Sequence, residues 1–328
     1  MAIRIVFILL VFTSYGFADQ AAFQTEGKVY SIGDLHGDLQ SFRKALLAKK
    51  LIDKNDHWIG EDAHLVLVGD LVDRGPETRQ LMEYVMSLEE KASKSGGKVH
   101  TLLGNHEYMV TAGVLEYIHY NDSHVFKDFK NTIYEKGIDG FKNAFKMNSI
   151  FAKWFRSRKV AIKINETIFV HAGLEKWAMN YTLDQINEMA LDWLKYMQGV
   201  GDKPDDKTRW VIENHGPLWT RVFVDYETGK TTLTDSDLVL ILNKFRANKI
   251  VVGHSTIKAM EDSVSHPTYG GKVILTDTGI SSAYNFNISI FEHEKDGGTL
   301  AYKIARDFPR VIQTLKTDLK KVQCEALF

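Results

Sequence analysis

Three short apolar runs in the first third of the chain, VYSIG (29–33), HLVLVG (64–69) and VHTLLG (99–104), each end in glycine, and helix-patterned stretches separate them. SFRKALLAKKL carries Phe42, Leu46, Leu47 and Leu51 at helical spacing. PETRQLMEYVMSLEEKA has Pro76 near its first turn and Leu81, Met82, Val85 and Leu88 on one face, with Gly96 and Gly97 marking its end. Strand, helix, strand, helix, strand is the order of βαβ units, whose parallel strands need crossovers of helix length. The predicted class is therefore α/β. Ligands of such sheets bind at the carboxyl ends of the strands, and each run places its glycine and the polar residues after it at such an end.

Residues 108–158 change character, being rich in Lys, Phe, Tyr and Asn with no strand pattern. They read as a helical insertion, a candidate cap over a site. Strand-like runs return at VAIKI (160–164) and TIFVHA (167–172), joined by a turn at Asn165-Glu166, and a helix pattern follows in LDQINEMALDWLKYM. The last runs are IVVGHS (250–255), KVILTDTG (272–279), NISIFEHE (287–294) and TLAYKIA (299–305). The closing strands are expected to be antiparallel, because their connections are too short for crossovers. No repeat, low-complexity tract or interdomain linker is visible, so residues 19–328 are read as one domain.

Composition sets the outer bounds. The chain has 328 residues, 44% hydrophobic and 25% charged, with a net charge of −1. That is a globular balance with no general pull toward nucleic acid or anionic lipid. One cysteine, Cys324, allows no intramolecular disulfide, no cysteine-based zinc site and no CxxC redox pair. At the N-terminus, MAIR, the apolar run IVFILLVF and a TSYGFA ending fit a secretory signal peptide over residues 1–18, cleaved after Ala18. The run is too short to span a bilayer easily, so no stable membrane insertion is expected after cleavage. A periplasmic or secreted location follows, and the lack of disulfides favours the periplasm.

Five clusters carry the chemistry: GDLHGD (33–38), GDLVDRG (69–75), GNHE (104–107), HAGL (171–174) and GHS (253–255). Each follows a predicted strand. Singly, a GD is a turn and a lone histidine a core residue; together they supply Asp34, His36, Asp70, Asn105, His171 and His254. Six oxygen and nitrogen donors without sulfur suit two divalent or trivalent ions of Mn, Fe or Zn better than Mg or Ca, which avoid imidazole. A pair of cations about 4 Å apart needs a shared carboxylate, and Asp70 is the natural bridge. Asp34 and His36 would hold one ion; Asn105, His171 and His254 would hold the other.

This ordered set resembles the calcineurin-like metallophosphoesterases, and GDLVDRG followed by GNHE resembles their phosphoprotein phosphatase branch. With the signal peptide and GPLWTR (216–221), the chain is most similar to the Shewanella-like protein phosphatases. The resemblance spans residues 28 to about 280. It implies two packed mixed β-sheets flanked by helices, an αββα sandwich. It makes the six donors metal ligands, His106 the general acid held by Asp73, and Arg74 a phosphate-gripping arginine beside Asn105. Arg221 is similar to a second one. The longer substrate apparatus of eukaryotic Ser/Thr members has no match in TDTGISSAYN, and Ala172-Gly173 stands where many relatives have Gly-Gly.

The residues support the same reaction independently. Two cations would provide hydroxide near neutral pH for in-line attack on phosphorus. His106 would protonate the leaving oxygen with Asp73 orienting it. Arg74 offers a bidentate fork to phosphate, against the plainer alternative of a turn salt bridge with Asp73. A phosphoprotein or phosphopeptide is the expected substrate, phosphotyrosine favoured over phosphoserine and phosphothreonine. A nucleotide hydrolase of the bis(nucleosyl)-tetraphosphatase or nucleotidase kind and a non-catalytic metal-stabilised binding protein are the alternatives.

Other features carry less. TGKTT (228–232) is similar to a phosphate loop, but Val224 stands where that motif needs glycine, so it reads as a turn. Sequons at Asn121, Asn165, Asn180 and Asn287 matter only in a eukaryotic secretory pathway. Tyr117, Tyr120, Phe126 and Phe129 read as core residues or as pocket walls, and His57, His64, His119 and His124 as surface residues.

Overall fold

The computed structural model describes residues 20–129, 137–224, 233–257, 269–284, 286–295, 297–306, 311–318 and 321–325. The expected signal peptide and the TGKTT segment lie outside the described residues. In chain order the strands are β1 (Ala22–Phe23), β2 (Val29–Ile32), β3 (His64–Leu67), β4 (Lys98–Thr101), β5 (Ala161–Ile164), β6 (Thr167–Val170), β7 (Lys249–Val252), β8 (Val273–Leu275), β9 (Ser289–His293), β10 (Thr299–Ile304), β11 (Val311–Asp318) and β12 (Lys321–Glu325). The helices are α1 (Leu39–Ala48), α2 (Thr78–Lys94), α3 (Asn105–Ala112), α4 (Asp122–Val125), α5 (Gly137–Ala144), α6 (Ile150–Arg156), α7 (Leu183–Met197) and α8 (Asp235–Lys244).

Two mixed sheets pack face to face. The larger runs β12-β11-β10-β9-β2-β3-β4, with β2, β3 and β4 parallel and the remaining pairs antiparallel. The smaller runs β1-β5-β6-β7-β8 and is antiparallel only between β5 and β6. The parallel strands β2, β3, β6 and β7 are almost wholly buried, which is why they read as unbroken apolar runs without alternation. Phe169 on β6 meets His293 on β9 across the interface at 5.2 Å between ring centroids. One hydrophobic core runs through both sheets and the helices outside them. The expected antiparallel closing strands are β9 and β10. Among the described residues no helix is long and apolar enough to cross a membrane.

Local signals account for most helices. Asp38, the last residue of GDLHGD, caps α1 by accepting Ser41 N–H at 2.8 Å. Leu81, Met82, Val85 and Leu88 form the buried face of α2. α8 is an element not expected from the sequence, although Thr234 and Asp237 form a capping box at its start. β1, β11 and β12 are likewise additional. His64, expected at the surface, is partly buried with Nδ1 3.1 Å from His100 Nε2.

The segment after the third cluster is helical, as its composition predicts, and it grows out of α3, the helix that opens with Asn105. Phe126, Phe141, Phe145, Phe151 and Phe155 are fully buried there, with Phe126 edge-on to Phe141 at 5.1 Å. Phe126 is thus core, Tyr120 is 75% exposed, and Tyr117 faces the cleft described below.

Candidate active site

All five clusters converge at the carboxyl ends of β2, β3, β4, β6 and β7. The loops are bonded to one another through backbone: Leu35 and His36 N–H both donate to Asp70 O, at 3.0 and 2.9 Å, and Gly253 N–H donates to His171 O at 2.8 Å. His36, Asp70, Asp73, Arg74 and His254 have φ of 41°, 51°, 69°, 67° and 66°. Non-glycine residues avoid this left-handed region, so the surrounding bonds are holding strained backbone at the site. Gly104 is required for a different reason: a Cβ there would lie 2.2 Å from Asp70 Oδ1.

The candidate ligands face one another at short range and are almost fully buried, His254 less so. His171 Nε2 lies 2.9 Å from Asn105 Oδ1 and 3.3 Å from Asp70 Oδ2. His254 Nδ1 lies 3.0 Å from the same Asn105 oxygen, and His36 Nε2 lies 3.9 Å from Asp70 Oδ2. Asp70, His171 and His254 form one donor cluster; His36, Asp70 and His106 form another. Asp70 belongs to both, as a bridging carboxylate would. Asp34, also buried, belongs to neither cluster; its two oxygens accept His254 N–H at 3.0 and 3.1 Å. A carboxylate retains further lone pairs for a cation.

The donor chemistry fits a pair of metal ions. His171 Nδ1 is 2.9 Å from Val68 O, so that nitrogen carries hydrogen and Nε2 is left to face two acceptor oxygens. Such a contact requires a proton or a cation between the atoms. Burial pushes His171 down, but the Asp70 carboxylate outweighs it and lifts the ring to about 10. Burial pushes His36 and His254 to about 3, keeping both imidazoles neutral as ligands must be. Burial, reinforced by the Asp277 charge, raises Asp34 well above the usual carboxylate range. This concentration of buried carboxylates beside imidazole donors is a lining that bound divalent metal ions would neutralise.

Beside the ligands lies the acid. His106 Nδ1 is 2.6 Å from Asp73 Oδ2, and both residues are buried. Burial pushes His106 down, yet the Asp70 and Asp73 carboxylates raise it above its ordinary value. A cleft of about 230 Å³ opens over these groups, walled by Arg74, Tyr117, Trp219, Arg221 and Tyr284. Arg221 donates to Ser255 Oγ at 2.7 Å. Arg74 makes no turn salt bridge with Asp73: Asp73 Oδ1 and Arg74 Nε are both buried without a hydrogen-bond partner. A larger cavity of about 500 Å³, lined by Lys163, Asn165, Arg246 and Lys295, opens at the amino ends of β2 and β6 and contains none of the clustered donors.

Two site residues were not assigned from sequence. One is Glu107 of GNHE, whose carboxylate accepts N–H from Asp70, Leu71, Val72 and Gly104. Its place at the third position of α3, three residues after the Gly104 cap, was the available signal. Asp277 follows β8 and accepts Thr256 Oγ1–H at 2.6 Å and Gly279 N–H at 3.0 Å. TDTG places an acid after a strand as GDLHGD and GDLVDRG do, but Thr276 stands where those have glycine, so nothing marks it.

Residues 27–257 match the calcineurin-like phosphoesterase family. The chain belongs to this family. Shewanella-like protein phosphatase 1 of Plasmodium berghei is 29% identical over 79% of this chain and 69% of its own. The symmetrical bis(5'-nucleosyl)-tetraphosphatase of Chromobacterium violaceum is 28% identical over 65% of this chain and 69% of its own. The cold-active protein-tyrosine phosphatase of a psychrophilic Shewanella species shares the fold, with a TM-score of 0.68 at 23% identity over 93% of this chain and 82% of its own. The chain is thus a metallophosphoesterase with protein phosphatases and dinucleotide hydrolases among its relatives.

Proposed function

We propose that this metallophosphoesterase is an exported phosphomonoester hydrolase that uses two metal ions to dephosphorylate proteins, phosphotyrosine favoured over phosphoserine and phosphothreonine. The observation that carries the reading is the buried His106–Asp73 pair at 2.6 Å, set beside the shared Asp70 carboxylate. In this reading the pair is an oriented proton donor beside a two-cation cage.

Asp34, His36 and Asp70 would hold one ion, and Asp70, Asn105, His171 and His254 the other. When bound, the ions acidify water and neutralise phosphate oxygens. Arg74 and Arg221, with the Asn105 amide, bind and orient the phosphate. Asp73 holds the His106 Nδ1 proton, which leaves Nε2–H facing Asp70 and the cleft, 3.9 Å from Asp70 Oδ2, to protonate the departing oxygen. Tyr117, Trp219 and Tyr284 give the cleft aromatic walls suited to a planar leaving group. The similarity to a Shewanella-like protein phosphatase supports a phosphoprotein substrate, and the apolar N-terminal segment supports export.

The tetraphosphatase relatives favour a second reading, a nucleotide hydrolase that uses the same centre. The deciding experiment measures kcat/KM of the metal-loaded and metal-stripped protein on a phosphotyrosine peptide, a phosphoserine peptide and a dinucleoside tetraphosphate. Metal-dependent preference for the phosphotyrosine peptide is expected. Preference for phosphoserine would overturn the residue class, and preference for the dinucleotide would install the second reading. Absence of turnover on all three would leave a binding protein. Export is checked by sequencing the N-terminus of the protein from the periplasm, where residue 19 is expected first.

A further inference from the structure

Arg74 is held in an unusual way for a buried-edge arginine. It follows Asp73 in left-handed backbone, its Nε is buried without a partner, and no carboxylate pairs with it among the described residues. Two tyrosines hold it instead. Its Cζ lies 4.8 Å from the Tyr117 ring centroid and 5.4 Å from that of Tyr284. Contact with ring faces is attractive to a guanidinium and leaves its N–H edges free. A carboxylate partner would occupy those edges and compete with an incoming phosphate.

Tyr117 does more than supply a face. Its carbonyl accepts the Arg74 backbone N–H at 2.7 Å, pinning the strained turn. Its ring meets the His106 imidazole edge-on at 5.4 Å. It belongs to the stretch between α3 and α4, so it joins the helical insertion to both the arginine and the acid.

We propose that Tyr117 is a positioning residue for phosphate recognition, acting through Arg74 and carrying the insertion's placement into the active site. The inference rests on the reading above, in which Arg74 binds phosphate.

The test uses the full chain loaded with Mn²⁺ and compares Tyr117→Ala, Tyr117→Phe, Arg74→Ala and the Tyr117→Ala/Arg74→Ala double variant. Inorganic phosphate affinity is read by calorimetry, and kcat and KM are measured on a phosphotyrosine peptide. Tyr117→Ala is expected to weaken phosphate binding and raise KM by about 3- to 10-fold, the range of a partly desolvated cation–π contact, with a smaller loss in kcat. Tyr117→Phe keeps the ring face and is expected to stay within about twofold of wild type. Once Arg74 is absent, Tyr117→Ala should cost nothing further, because coupled residues are non-additive. An equal loss with and without Arg74 would overturn the inference, as would unchanged phosphate affinity in Tyr117→Ala or failure of Tyr117→Phe to restore it. A wild type with no phosphomonoesterase turnover would instead sink the parent reading, which separates the two failures.

Discussion

Glu107 Oε2 accepts the backbone N–H of Asp70 at 3.0 Å, and through Oε1 the same carboxylate takes Leu71 N–H at 2.8 Å. With Gly104 N–H also bound at 2.7 Å, one buried side chain ties the loop after β3 to the start of α3. Burial, and then the Asp70 charge, lift Glu107 to about 7. Glu107→Gln would replace one acceptor by an amide that points hydrogen at backbone N–H groups. Leaving buried donors unmatched costs roughly 1–3 kcal/mol. A lowered melting temperature with weakened metal affinity is expected; calorimetric metal titration showing wild-type affinity would remove Glu107 from the support of the site.

His106 and Asp73 should separate from the metal ligands in their effects. His106→Asn keeps a hydrogen-bonding side chain beside the cage and should retain both metals, while kcat on a poor leaving group falls by roughly 10²-fold or more, the usual weight of acid catalysis. Asp73→Asn should lose less, about 10-fold, since it removes orientation and charge but not the proton donor. Unchanged turnover in His106→Asn, measured with metal content confirmed, would exclude it as the acid.

Removing metal leaves the buried Asp34, Asp70 and Asp277 carboxylates and the His171–Asn105 contact without a compensating cation. Chelation should therefore abolish turnover and lower the melting temperature, and Mn, Fe or Zn should restore both. At free metal 100-fold above its dissociation constant, each ion stabilises the fold by about 2.7 kcal/mol. Elemental analysis should find two ions per chain, and Asp70→Asn should lose both, as expected of a shared ligand.

Asp122 gives a pH dependence of stability that is independent of the metals. It is fully buried in α4, with Thr78 Oγ1–H donated to Oδ2 at 3.0 Å and Oδ1 unpartnered. Burial lifts its pKa from 3.8 to about 7. The folded chain thus keeps a proton that the unfolded chain releases near 3.8, so this carboxyl lowers stability as pH rises from about 4 to about 7 and carries its full cost above that. The cost is on the order of 4 kcal/mol at most. Asp122→Asn is expected to stabilise the protein at pH 8 and to change little at pH 4, read as melting temperatures across pH. A stabilisation of equal size at both pH values would show that ionisation is not its cause.

Asp34, His36, Asp70, Asn105, His171 and His254 were legible because each lies just after an apolar run, all but His171 behind a glycine, and local order alone puts such residues at strand ends. The parallel arrangement of β2, β3 and β4 was legible because helix-length connections permit little else. The aromatic residues of the insertion were harder. Nothing local distinguishes Phe126, buried at 0% exposure, from Tyr120 at 75%.

What the sequence alone determined was the α/β class, the strand ends and the donor set, since these follow from periodicity and residue chemistry within a few positions. Only the tertiary structure decided that Glu107 braces the Asp70 loop, that the Asp277 charge acts on Asp34, and that Arg74 rests on Tyr117 and Tyr284 rather than on Asp73. These relationships join residues dozens to hundreds of positions apart. They arise from how two sheets and an insertion pack, and side-chain contact across such separations leaves no local pattern.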